Sequence, residues 1–204
     1  TFNSVAIAAA ASFITVMLAV FLTFTTRYFG SRTINATNRL AILGYAVPGA
    51  VIAIGILLLA KQVNQATGWI MTGSLSMLVL AYIVRFLAVA WQPIDSGMER
   101  NCEQINNASR SLGVTAIQSL TNINIPLLRN ALVTAGLFVF VDTMKELPLT
   151  LILRPFNFET LSTKTFDLAQ QAQIPESSVP ALCIILVSLL PLIWLNLQIR
   201  NTEK

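Results

Sequence analysis

The chain has 204 residues, of which 55% are hydrophobic and only 11% charged, and its mean hydropathy is +0.70. This composition excludes an ordinary water-soluble domain and leaves room for about five membrane-crossing helices of about 20 apolar residues each. The sequence contains no histidine, which excludes imidazole-ligated zinc and histidine-based nucleophilic catalysis, and the net charge of +4 matters less than where the 13 Lys and Arg residues fall.

Five apolar stretches predict an all-α polytopic fold, with spans at about residues 4–26, 40–60, 69–91, 131–153 and 179–199. Each is long enough to cross about 30 Å of hydrocarbon as a helix. The first is not a signal peptide, because it lacks a basic leading segment and is followed by Arg27, Arg32 and Arg39. Thr1 stands at the edge of this span, so the chain is expected to be a portion of a longer polypeptide. The second stretch holds Gly44, Pro48, Gly49 and Gly55, with small residues four apart at Ala46 and Ala50 and at Gly49 and Ala53, which predicts a kinked helix that a neighbour approaches closely. Cys102 and Cys183 are far apart and the second lies in an apolar run, which argues against a disulfide.

Cationic loops are retained in the cytoplasm. Arg27, Arg32 and Arg39, then Arg100, Arg110 and Arg129, then Arg200 and Lys204 fall on one side, whereas Lys61, Arg154 and Lys164 fall on the other. The fragment is therefore expected to start outside and end inside.

Between the third and fourth spans, residues 92–130 form a polar segment too long for a simple connection. Ile105, Ala108, Leu112, Ala116 and Leu120 recur at spacings of three and four, the pattern of an amphipathic helix. Gly113 interrupts it and predicts two short helices, one of them presented to another protein. Pro126 is expected to open the next membrane helix.

The fourth span carries Asp142, Lys145 and Glu146. Ionisable groups inside a span are costly and mark a functional site or a structural ion pair. Asp142 and Glu146, four apart, are expected to share a helix face, with Lys145 able to pair with Asp142 and Arg85 of the third span a further partner. Oxygen-rich carboxylates also suit a hard cation. Beyond Arg154, Glu159 and Thr160 open a short amphipathic helix bearing Leu161, Thr165, Leu168 and Ala172 on one side. Its expected role is to line a gate, to meet a partner protein, or to cover the bundle.

The stretch Asn107, Ala108, Ser109, three residues, Gly113, nine residues, Ile123, Asn124, Ile125, Pro126 resembles the EAA loop of inner-membrane permeases of binding-protein-dependent ABC importers. That loop reads EAA, three residues, G, nine residues, I, one residue, LP. Asn107 replaces the usual Glu and Ser109 the second Ala, which weakens the pattern without breaking its spacing. The resemblance implies a type I importer core in which Asn107, Ala108, Ser109, Gly113, Ile123 and Pro126 present a coupling helix to an ATPase subunit. Its implied partners are two ATP-binding subunits, a second permease half, an extracytoplasmic substrate-binding protein and membrane lipid. No cofactor and no nucleic acid are expected.

Residues 144–161 closely resemble the second half of ferric-iron permeases built as two homologous halves in one chain, and the resemblance covers essentially all 204 residues, 45–55 and 82–86 included. Sulfate, thiamine and polyamine permeases, the alternative solute classes within the same family, share the EAA loop but not this run. The resemblance implies ferric iron as the solute and a bacterial inner-membrane location. The sequence has no phosphate-binding loop pattern, so hydrolysis is expected on a partner and the chain itself is not an enzyme. The reading from another class is a gradient-driven transporter or channel in which Asp142 and Glu146 carry a coupling ion.

Overall fold

Alanine, branched and aromatic residues without an interrupting glycine or proline give α1 (Phe2–Phe29), 28 residues long. The computed structural model describes residues 1–29, 36, 42–101, 105, 108–109 and 111–202. After α1 come a 3-10 turn (Ile42–Ala46), α2 (Gly49–Thr67), α3 (Leu75–Asn101), α4 (Ala116–Leu127, with a π-helical middle), α5 (Arg129–Lys145), α6 (Pro148–Leu153), α7 (Leu161–Gln170) and α8 (Ile174–Thr202). No strand occurs among the described residues. Four helices are long and apolar enough to cross a membrane, and α4 with α5 adds a fifth if that pair, bent by 77°, counts as one span.

The core forms where α1, α3 and α5 meet. Ala11, Ala19, Ala81, Ala90 and Ala135 are fully buried there, so the backbones approach closely, as small residues allow between helices that lack a hydrophobic driving force in lipid. Ser12 of α1 donates to the Gly136 carbonyl of α5 at 2.6 Å, and the Leu161 amide of α7 donates to Ser4 Oγ at 2.7 Å. Arg27 pairs with Asp95 at 2.9 Å, which sets the C-terminal ends of α1 and α3 side by side.

Several predicted boundaries move. The second span begins at Gly49 rather than residue 40, because Pro48 (φ −55, ψ 137) disfavours helix in the residue before it, and it runs on to Thr67, where Gly68 (φ 73) closes it. The third begins at Leu75, since Asn64 holds the preceding turn by accepting from the Met71 amide at 2.7 Å and donating to Thr72 at 3.1 Å. It then continues to Asn101, ten residues into the segment expected to be a loop, with its polar end bonded to Arg27.

The fourth span is not the continuous helix expected over residues 131–153. α5 has 17 residues, about 26 Å, and stops at Lys145, because Pro148 has no N–H for the Met144 carbonyl. Glu146 is extended (φ −69, ψ 119), and α6 restarts at Pro148. Pro126 does not open this span either. It lies in the short turn Ile125–Leu127, and the bend follows at Leu128 (φ −91, ψ 5).

Candidate functional site: a glycine corner and two ion pairs

The segment around Gly113 is a sharp corner. Gly113 is left-handed (φ 77), and the Val114 amide reaches back to the Ser109 carbonyl at 3.0 Å, the signature of a glycine-terminated helix. Two residues later Thr115 caps α4, exchanging bonds with Gln118 as a capping box. One helix thus ends and another begins within three residues. Ala116 and Leu120 pack partly on the bundle core, while Leu112 and Ile117 on either side of the corner stay 83% and 75% exposed. The single apolar face expected for Ile105, Ala108, Leu112, Ala116 and Leu120 is therefore split, because the turn redirects the chain. Ala108 is exposed, Ser109 is buried and donates to the Ile105 carbonyl, and Asn107 lies outside the described residues. Ile123 and Pro126 flank the buried Asn124, whose amide donates to the Ser119 carbonyl at 2.8 Å.

The four ionisable residues form two separate pairs, and Asp142 and Glu146 do not share a face. The end of α5 falls between them. Arg85 Nε donates to Glu146 Oε2 at 3.0 Å, and Arg85 Nη1 donates to the Val47 carbonyl at 2.8 Å. The other carboxylate oxygen accepts from the Leu149 amide at 3.3 Å, so Glu146 also caps α6. The Glu146 carbonyl accepts from Thr150 at 2.8 Å and Ser162 at 3.0 Å. Since the Thr150 proton is committed there, the Tyr82 hydroxyl 2.6 Å from it must be the donor. This knot joins the turn before α2 to α3, the break after α5, α6 and α7.

Gly49 is part of the knot. A Cβ there would stand 2.6 Å from Glu146 Oε1 and 3.2 Å from the Arg85 guanidinium carbon, whereas one on Gly55 would meet nothing within 4 Å. Gly49→Ala is expected to lower stability by about 1–3 kcal/mol through forced displacement of the pair. Gly55→Ala should be neutral or slightly stabilising, and melting in detergent checks both.

The second pair is Lys145 Nζ to Asp142 Oδ1 at 2.7 Å, three residues apart on α5. It opens into a cleft of about 380 Å³ between α3, α5, α8 and the 3-10 turn, lined also by Tyr45, Gln92 and Pro93. The Lys145 side chain is 63% exposed, against 18% for Arg85. Beyond α6, α7 starts from a capping box at Thr160, and Arg154 pairs with Asp167 at 3.2 Å. Among the described residues no group of three or more Cys, Asp or Glu is placed to hold a metal ion.

Residues 4–204 match the family described as binding-protein-dependent transport system inner membrane component. The chain belongs to that family. An Fe(3+)-transport system permease protein of Haemophilus influenzae is 28% identical over 194 residues, 95% of this chain and 38% of that protein. A protein of Salmonella paratyphi A, named as a candidate 2-aminoethylphosphonate transport system permease, is 26% identical over 195 residues, 96% of this chain and 71% of that protein. A ferric transport system permease protein of Actinobacillus pleuropneumoniae is 25% identical over 92% of this chain and 29% of its own length. The chain thus spans well under half of the ferric permeases it matches. As in the family, it is a transport component with several apolar helices, of the inner membrane.

Sequence reasoning missed four members of the knot: the Val47 carbonyl, Tyr82, Thr150 and Ser162. A polar residue at the apolar position Tyr82, one helical turn before Arg85, was the available signal for one of them. Pro148 signalled the break itself.

Proposed function

We propose that the chain is one membrane half of a type I ABC importer, driven by two ATPase subunits of which one docks at the Gly113 corner, with a second permease half completing the route. The observation that carries this reading is the pair of large apolar side chains, Leu112 and Ile117, exposed on either side of a corner whose other face packs on the bundle. Exposed apolar patches of this kind mark a partner. Moving that corner as a rigid unit would move α3 and α5, which it connects. The N-terminal end lies outside and the C-terminal end inside, so that the basic Arg27, Arg129 and Arg200 face the cytoplasm. A binding protein meets the opposite face, where α7 lies.

The proposed solute is ferric iron, supported by the ferric permeases among the relatives and by the run over residues 144–161. A second reading, an aminoalkylphosphonate, is favoured by the phosphonate relative and by the cleft, where a cationic and an anionic group stand together. A gradient-driven carrier is less well supported, because Asp142 and Glu146 each already hold a cationic partner. The test is uptake by vesicles bearing the full-length permease with its ATPase and binding protein. Radioactive iron should enter only with internal ATP and be unaffected by collapse of the proton gradient. Uptake of the phosphonate alone would reassign the solute, and uptake driven by the gradient without ATP would reject the importer reading.

A further inference from the structure

The two ion pairs differ in their surroundings more than in their geometry. Arg85 and Glu146 are sealed within the knot, whereas Lys145 and Asp142 face open volume roughly midway along α3. A cleft of about 380 Å³ lies within the size range of small-molecule sites. An ammonium carries three donors, of which Asp142 takes one. Pro93 adds an independent feature. It sits inside α3 with no N–H to give the carbonyl four residues earlier, and that residue, Val89, lines the same cleft. Irregular helix backbone is tolerated at membrane depth where it lines a cavity. The cleft therefore brings together Lys145, Asp142, Gln92, Tyr45 and Val89, whose carbonyl Pro93 leaves without its helical donor, on walls otherwise made by apolar residues.

We propose that this cleft is a binding site on the solute's route, taking a small solute through an oxyanion group that docks on the Lys145 ammonium. This rests on the importer reading and narrows it to solutes that present oxyanion oxygens, whether a phosphonate or the carboxylate shell of a ferric chelate. Asp142 competes for the same ammonium, which keeps the oxyanion weakly held and lets the site empty, as conduction requires. For a solute that also carries an amine, Asp142 and the Val89 carbonyl become its acceptors.

The test is uptake by the complete reconstituted transporter, with ferric citrate and an aminoalkylphosphonate as the two probes. Lys145→Met should raise the half-saturating concentration about tenfold or more for whichever probe is carried, the scale of one lost charge-assisted hydrogen bond. Asp142→Asn distinguishes the sources: it should raise that concentration for the aminoalkylphosphonate and leave it equal or lower for ferric citrate. An unchanged value for Lys145→Met overturns the proposal. So does a double variant, Asp142→Asn with Lys145→Met, that regains the unaltered value, since a purely structural pair behaves that way. If the unaltered transporter carries neither probe, the proposed solute assignment fails separately. The cleft is then read by labelling Gln92→Cys, in a Cys102→Ser, Cys183→Ser background, with a cationic thiol reagent. Phosphonate protection that Lys145→Met abolishes supports the site, and absence of protection rejects it.

Discussion

Glu146→Gln is expected to destabilise the folded chain by about 3–5 kcal/mol, and Arg85→Met by distinctly less. Both remove one charge of a largely buried pair. The asymmetry comes from what remains. An orphaned carboxyl can take up a proton and keep its bond from the Leu149 amide, whereas a guanidinium cannot shed one, and in Glu146→Gln it meets an uncharged amide whose single oxygen can serve Arg85 or the Leu149 amide but whose NH2 group faces the other donor. Combining the two substitutions should recover most of the loss, because no buried charge is then left unpaired. Melting of the solubilised protein gives the order: unaltered, then the double variant, then Arg85→Met, then Glu146→Gln. Equal losses from both single variants would show that Glu146 acts only as a packing element.

The second large effect is functional. Gly113→Val should reduce coupled transport severely while leaving the membrane bundle folded. A β-branched residue at φ 77 is strained by about 1–2 kcal/mol, a strain that the short corner relieves by unwinding. A Cβ on Gly113 would meet nothing within 4 Å, so the strain stays in the corner and the bundle melts nearly unchanged. Leu112 and Ile117 then no longer share one presentation. Stimulation of ATP hydrolysis by loaded binding protein should fall together with uptake. Retained stimulation and uptake would remove the corner from the coupling route.

Much of this was legible in composition and spacing. Long apolar stretches needed no tertiary information to be read as helices, and a glycine in an otherwise helical period marked the corner, because only a left-handed residue ends one helix so abruptly. The pairing of Lys145 with Asp142 follows from a three-residue offset on one helix. What failed was the assumption that hydropathy sets helix limits. Polar Gln92, Asp95 and Glu99 continue α3 because a helix end in water needs no apolar face, and Arg27 supplies a partner from another helix. Glu146 lies off the face of Asp142 because α5 ends at Lys145 and Glu146 is extended, a break that a periodic pattern alone passes over. The knot was beyond reach for a different reason. Its bonds join residues as far apart as Tyr82 and Thr150, and a carbonyl such as that of Val47 carries no sequence signal at all.

The most direct test of the account is a photoreactive cross-linker placed at Leu112 or Ile117 in the full-length permease, assembled with its partners in native membranes. The corner is predicted to yield an adduct with the ATPase subunit from both positions, and none from Phe13 in the middle of α1, which is also exposed. Adducts to lipid alone from Leu112 and Ile117, with the ATPase subunit present and unlabelled, would contradict the coupling assignment.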